Sequence, residues 1–206
     1  MPIGTNKLMQ MGGGGGDSTP YIAASGGSLS TGSNSDADNI PLTLHSWQSS
    51  GTSTFSIDDI SGSGEGVIYV WAWGGAGGNG GQGGNGGGSG GFAFGSFPVV
   101  AGQSFRVAVG GGGVGSNGRP GGDRSGGGGG GGGYAGGNVG GDPGCDCHGA
   151  AGGGGGSNFV IGSALSSRTA AGNYGTPGES SHGFRNGAGQ RNGGTGRIVI
   201  GYERQT

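Results

Sequence analysis

The chain has 206 residues, of which 66 are glycine, and its formal net charge is −2 at pH 7. This glycine content excludes a helical protein, because glycine costs about 1 kcal/mol per helical position relative to alanine. Glycine in runs with only 7 prolines also excludes collagen. A single lysine and the lack of a basic run argue against nucleic-acid binding. The sequence shows neither a signal peptide nor an apolar stretch long enough for membrane insertion, so synthesis in the cytoplasm is expected.

The first part of the chain is polar and rich in turn-forming residues. It contains a five-glycine run at 12–16 and a segment of Ser, Thr, Gly, Asn and Asp at 28–39. This composition is typical of a linker, or of an arm that becomes ordered only on a partner. We therefore predict an extended N-terminal arm at 1–46 and a glycine-rich β domain at 47–206.

Five segments of that domain carry strand patterns. Residues 51–57 and 104–109 alternate polar and apolar side chains, which is typical of half-buried strands. Residues 67–73 are β-branched or aromatic almost throughout, which predicts a strand buried on both faces. Residues 91–99 and 196–202 are the other two segments. The predicted core consists of Phe55, Ile57, Val67, Tyr69, Trp71, Trp73, Phe92, Phe94, Phe105, Val107, Val109, Ile198 and Ile200.

Long glycine runs separate these strands, notably at 126–133 and 152–156. They are either flexible loops or extended three-residue-per-turn helices that pack side by side through backbone hydrogen bonds. The ordering entropy of glycine requires many such helices to pack together. The predicted fold class is all-β: a small β-sheet domain combined with packed polyglycine II-type extended segments, and almost no α-helix.

Two letter patterns suggest enzymes, but their context does not. Residues 75–80 match a dinucleotide-binding loop, yet no helix pattern follows them. Residues 87–91 match a hydrolase nucleophile elbow without its strand–turn–helix setting. Both matches follow from the glycine content, so we predict neither an enzyme nor a cofactor.

One cluster between the two long glycine runs has the side chains for metal chemistry. Its residues are Asp142, Cys145, Asp146, Cys147 and His148. Three interpretations stay open: an exposed loop tip with free thiols, a strained disulfide, or ligands for a soft metal. In the third, Cys145, Cys147 and His148 from several copies would bind zinc or iron at an oligomer axis.

A second segment, 173–186, carries side chains that often form contacts on loops. Its candidates for receptor contact are Tyr174, Glu179, His182, Phe184 and Arg185. The cysteine cluster at 142–148 is the other candidate receptor-contact loop. In the alternative interpretation, Tyr174 and Phe184 only plug the ends of the domain.

The strand order and two motifs connect these features to a known family. One motif is the strand with tryptophan and glycine at 67–78, and the other is AGQSFRVAVGG at 101–111. Together with the closing strand they resemble the glycine-rich domain of bacteriophage tail fibre and minor tail proteins, over roughly 47–203. That domain is related to phage receptor-binding tips with packed polyglycine helices. Residues 58–66 depart from the family, which usually has a proline-rich turn there.

The resemblance implies a structural virion protein of the tail, in a fibre, spike or tip, that displays the domain for contact with the host surface. It also implies a homotrimer, attached to other virion proteins through the N-terminal arm and contacting a surface glycan or protein. Two alternatives remain: a capsid decoration or cement protein, and an extracellular or ice-binding glycine-rich structural protein.

Overall fold

The computed structural model describes residues 21–62, 65–78, 87–114, 137–138, 164–172, 176–190 and 193–204. These residues form nine β-strands, and their only helical structure is one 3-10 turn. The strands are β1 Ile22–Ser25, β2 Ser28–Gly32, β3 Leu42–Trp47, β4 Gly51–Ile60, β5 Glu65–Trp73, β6 Phe92–Val100, β7 Ser104–Val109, β8 Ser166–Ala170 and β9 Arg197–Glu203. The prediction of an all-β fold is confirmed.

The strands form two antiparallel sheets. The small sheet has the order β1-β4-β7, and the large sheet has the order β2-β3-β9-β5-β6-β8. The long strand β4 lies at the centre of the small sheet, whereas β9 and β5 lie at the centre of the large one. Strand β9 is the last strand in sequence, and it pairs with both β3 and β5. The large sheet is therefore complete only when strands from the two ends of the domain have come together.

One hydrophobic core lies between the two sheets. Phe55, Ile57 and Val107 of the small sheet pack in one cluster with Ile68 and Ile200 of the large sheet. The other face of the large sheet carries a second core around Trp71, Trp73, Phe92 and Phe94. Strand β5 therefore contributes side chains to both cores, as its continuous apolar sequence predicted.

Most of the predicted core residues are buried, but Val67 is not. Its exposed fraction is 36%, whereas its neighbour Ile68 is 2% exposed. Side chains alternate along β5, so Val67 shares a face with Trp71 and Trp73. Val67 lies at the start of the strand, away from the residues that cover those two tryptophans. Tyr69, Phe105 and Ile198 are partly buried against the two cores.

The predicted boundary after residue 46 is wrong for the described part of that segment. Strand β1 pairs with β4, and β3 pairs with β9 from Leu42↔Glu203 to Trp47↔Ile198. The segment 28–39, expected to be linker-like, forms β2 and the 3-10 turn. Strand β2 lies at the edge of the large sheet and is held mainly by backbone hydrogen bonds to β3. Such a strand does not require apolar side chains, so the polar composition of 28–39 did not indicate it.

Candidate functional site

The 3-10 turn Ser35–Ala37 positions a partly buried carboxylate, that of Asp36, over the second core. Asn34 precedes the turn, and its side-chain oxygen accepts the N–H of Asp36 at 2.9 Å. Asp38 ends the turn in the left-handed region, with φ of 51°. These local bonds fix the Asp36 backbone, so that its side chain reaches strands β5 and β8.

Asp36 is the centre of a polar cluster, which we call the Asp36 cluster: Asp36, Trp71, Arg168, Glu179 and His182. Arg168 donates two bonds to the carboxylate, from Nε to Oδ1 and from Nη2 to Oδ2, each 2.9 Å long. Trp71 Nε1 donates to Oδ2 at 2.8 Å, and His182 Nε2 lies 3.2 Å from the same oxygen. Arg168 also forms an ion pair with Glu179.

The electrostatics of the cluster favour an ionised Asp36. Burial alone would raise the pKa of Asp36, but the hydrogen bonds from Arg168, Trp71 and His182, with the Arg168 charge, outweigh burial and lower that pKa. The hydrogen bond to Asp36 is the main reason that the pKa of Arg168 is raised. Both members of the pair are therefore charged at neutral pH.

His182 is held as a neutral ring. Its side chain is 3% exposed, and its ring lies 5.2 Å from the Trp73 ring and 5.7 Å from the Phe92 ring, centre to centre. Burial is the main reason that the pKa of His182 is lowered, although Asp36 opposes the shift. The N–H of Phe184 points at Nδ1 over 3.2 Å. A bond accepted at Nδ1 assigns the ring proton to Nε2, which then donates to Asp36.

This arrangement predicts a loss of stability on acidification. The folded pKa of His182 lies below its ordinary value of 6.5, so the unfolded chain binds a proton that the folded chain does not. Stability is therefore complete above about pH 6.5 and falls as the pH decreases below that value. Urea unfolding at about pH 7.5 and pH 5 measures the loss.

The matched variant is His182→Gln, which keeps a side-chain donor but does not titrate in this range. We expect its free energy of unfolding to change less between the two pH values than that of the wild type. The same change in both proteins would contradict the assignment of a neutral buried His182.

The Asp36 cluster joins four parts of the chain. These are the 3-10 turn, β5, β8 and the segment 176–190, which covers the second core with Phe184 and Ala188.

An Asp–His pair also occurs in nucleophilic catalysis, where the second ring nitrogen accepts a proton from a hydroxyl or thiol. Here Nδ1 of His182 faces a backbone N–H instead. Within the described ranges, no group of three or more His, Cys, Asp or Glu residues could hold a metal. The geometry supports a structural role, in which the Asp36 cluster holds segment 176–190 against the large sheet through hydrogen bonds and ion pairs.

The structure brings four of the predicted receptor-contact residues together in segment 176–190. Glu179 and His182 belong to the Asp36 cluster, and the Phe184 ring packs edge-on against Trp71 at 5.0 Å. Arg185 donates to the carbonyl oxygens of Ser180 and Ala188. The remaining predicted contact and metal residues, Asp142, Cys145, Asp146, Cys147, His148 and Tyr174, lie outside the described residues.

Glycine segments meet at one end of the sandwich, which we call the glycine end. They continue from the ends of β5 and β7 and lead into β6 and β9, at 74–78, 87–91, 110–113 and 193–196. Segment 74–78 has three neighbours. The first is 88–91, where the carbonyl oxygens of Gly91 and Gly88 accept the N–H groups of Gly74 and Gly77. The second is 193–194, which bonds to Ala76 and Gly77. The third is Gly113, whose N–H donates to the carbonyl oxygen of Ala76.

The glycine segments approach one another too closely for side chains. A Cβ atom on Gly90 would lie 1.9 Å from the carbonyl oxygen of Gly74, and one on Gly112 would lie 1.8 Å from that of Gly193. These contacts are with backbone atoms, which cannot turn aside. Glycine is therefore required at these positions by packing.

No local pattern indicated the Asp36 cluster, because Asp36 and Arg168 are 132 residues apart in the sequence. His45 was also missed as a core residue. It is 1% exposed between Gly26 and Tyr202, with Nδ1 2.5 Å from the Gly26 carbonyl oxygen and Nε2 3.2 Å from the Tyr202 hydroxyl. His45 shares a face of β3 with Trp47, opposite the face of Leu42 and Leu44, so the alternation of the two leucines did not indicate that His45 is buried.

Comparison with known proteins assigns no class. No protein-family model matches the chain, and no curated protein sequence is significantly similar to it. Over the part of the chain that the structure describes, no helix has the length and apolar character needed to span a membrane.

Proposed function

We propose that the chain is a structural, non-catalytic protein of a bacteriophage tail, which displays its glycine end toward the host surface. The proposal starts from the resemblance of 67–78 and 101–111 to the glycine-rich domain of tail fibre and minor tail proteins. The observation that carries it is the packing of the glycine segments at one end of the sandwich.

The positions of Tyr21 and Arg204, the first and last residues that the structure describes, support a direction for this display. Tyr21 precedes β1, which pairs with the far end of β4, and Arg204 donates its N–H to Pro41 beyond the start of β3. Both lie at the end of the sandwich opposite the glycine end, because β5 starts there and finishes at Trp73. Attachment through the chain before Tyr21 would therefore leave the glycine end pointing away from the virion.

We further infer that the glycine segments are polyglycine II helices. A β-strand hydrogen-bonds to neighbours on two sides only, whereas a helix with three residues per turn can bond in three directions. Segment 74–78 bonds to three neighbours: 88–91, 193–194 and 113. A packed bundle of this kind makes a rigid support without large side chains, which suits a tip that presents loops.

The remaining parts of the proposal follow from the resemblance. They are a homotrimer, attachment to other virion proteins, and contact of the glycine-end loops with a host glycan or protein.

Gold-labelled antibody fragments against the protein test the location. On purified particles of the phage that encodes the chain, we expect gold on the tail and slower adsorption to host cells. Fragments against the major capsid protein serve as the control and should label only the head. Gold on the head lattice would contradict the proposal and favour a decoration protein.

A further inference from the structure

An apolar groove opens between the two sheets beside β7. Its volume is about 450 Å³, and its lining includes Val70, Phe97, Phe105, Val107 and Ile198. Val107 is buried, whereas the other four are only partly buried. The groove exists because a sheet of three strands faces a sheet of six, so part of the inner face of the large sheet lies uncovered beyond β7.

Strand β7 is an edge of the small sheet, and its free side borders the groove. Ile57 of β4 donates its N–H to Gln103 and accepts the N–H of Gly102, both at 2.8 Å, so Ile57 points its backbone groups toward β7. Alternate residues of an antiparallel strand point the same way. With Phe55 opposite Phe105, the outward set on β7 is Ser104, Arg106 and Ala108. Their N–H and C=O groups are directed to the free edge, where no described strand pairs with them.

The charge beside this edge distinguishes between possible occupants. The exposed Arg106 side chain donates to the Thr52 hydroxyl at 3.3 Å, and within the described ranges it makes no ion pair. A second copy paired through β7 about a two-fold axis at Arg106 would place two arginines opposite each other, and like charges in that position are unfavourable. An acidic side chain on an added strand would instead be attracted to Arg106.

We propose that β7 and the groove accept an extended strand from a partner protein, in which large apolar residues alternate with acidic ones. The strand adds to the small sheet as its fourth member, about 4.8 Å from β7. Its apolar side chains fill the groove against Val70, Phe97 and Ile198. Its acidic side chains lie on the outer face beside Arg106. This inference does not depend on the proposed function.

The test uses a fluorescein-labelled heptapeptide in which Glu alternates with Val, Phe and Val, and measures anisotropy against the full chain. We expect saturable binding by the wild type. Ala108→Pro removes an outward N–H without removing a bond to β4, so it should weaken binding about tenfold. Arg106→Glu should weaken binding of this peptide and tighten binding of the same peptide with Lys in place of Glu.

Two controls keep the test decisive. Thermal unfolding verifies that each variant is folded, and a peptide N-methylated at alternate backbone positions tests the same hydrogen bonds on the wild type. Equal binding of the methylated and unmethylated peptides, or no binding by the wild type at about 1 mM peptide, would overturn the proposal. Sedimentation that shows a dimer lost in Ala108→Pro would also overturn it, because the occupant would be a second copy.

Discussion

Replacement of Gly90 by alanine is expected to destabilise the protein by about 3 kcal/mol and to lower its melting temperature by about 10 °C. The new methyl group would overlap the Gly74 carbonyl oxygen. Gly90 also donates to Gly189 and accepts the N–H of Gly178, so a shift to relieve the overlap weakens two further contacts. Calorimetry and urea unfolding measure the effect.

Gly183→Ala is the matched control. A Cβ atom at Gly183 meets nothing within 4 Å, so this variant should stay within about 0.5 kcal/mol of the wild type. Gly112→Ala, which overlaps Gly193, should behave like Gly90→Ala. If Gly90→Ala were as stable as Gly183→Ala, the glycine end would not be closely packed.

Removal of the Asp36 carboxylate has the second large expected effect. Asp36→Ala takes away the acceptor for Trp71 Nε1, for His182 Nε2 and for two Arg168 donors. A buried donor left without a partner costs about 1–3 kcal/mol, but Arg168 is 38% exposed and can turn to water. We therefore expect a total loss of about 3 kcal/mol, measured by urea unfolding.

The effect should also be local. Segment 176–190 is held over the second core by this cluster, so its amides should exchange faster in Asp36→Ala than in the wild type. Asp59→Ala, which removes an exposed carboxylate on β4, is the control and should change neither stability nor exchange. Wild-type exchange across 176–190 in Asp36→Ala would show that apolar packing alone holds the segment.

The sequence predicted the strands whose side chains are patterned. Strands β4, β5, β6, β7 and β9 each carry apolar residues that pack into one or both cores, and the positions of these strands followed from that pattern. The family that the sequence resembles usually has a turn at 58–66, whereas here β4 continues through Asp58 and Asp59 to Ile60. Strand β1, paired along the opposite edge of β4, continues this ladder through Asp59 and Ile60.

The strands that were missed are mainly edge or near-edge strands with polar side chains. β2 (SLSTG) and β8 (SSRTA) lie at the two edges of the large sheet, and most of their residues are exposed or partly exposed. An edge strand is held by backbone bonds on one side, so its sequence need not differ from that of a loop. For this reason the polar composition of 28–39 led to the prediction of a linker where the structure has a strand and a 3-10 turn.

The candidate site was predictable only in part. Segment 173–186 was identified because aromatic and charged residues are rare among so many glycines. Its role in the structure depends on Asp36 and Arg168, which are distant in sequence and typical of any polar surface. The contact with Trp71 likewise arises from the pairing of β5 within the large sheet, which no local pattern specifies.

Electron cryomicroscopy of the virion tests the central claim most directly. We expect the domain on the tail, with Tyr21 and Arg204 toward the particle, the glycine end outward, and continuous density for segments 74–78, 87–91, 110–113 and 193–196 packed together. A domain bound to the capsid lattice, or a glycine end buried against the tail with Tyr21 and Arg204 outward, would contradict the account.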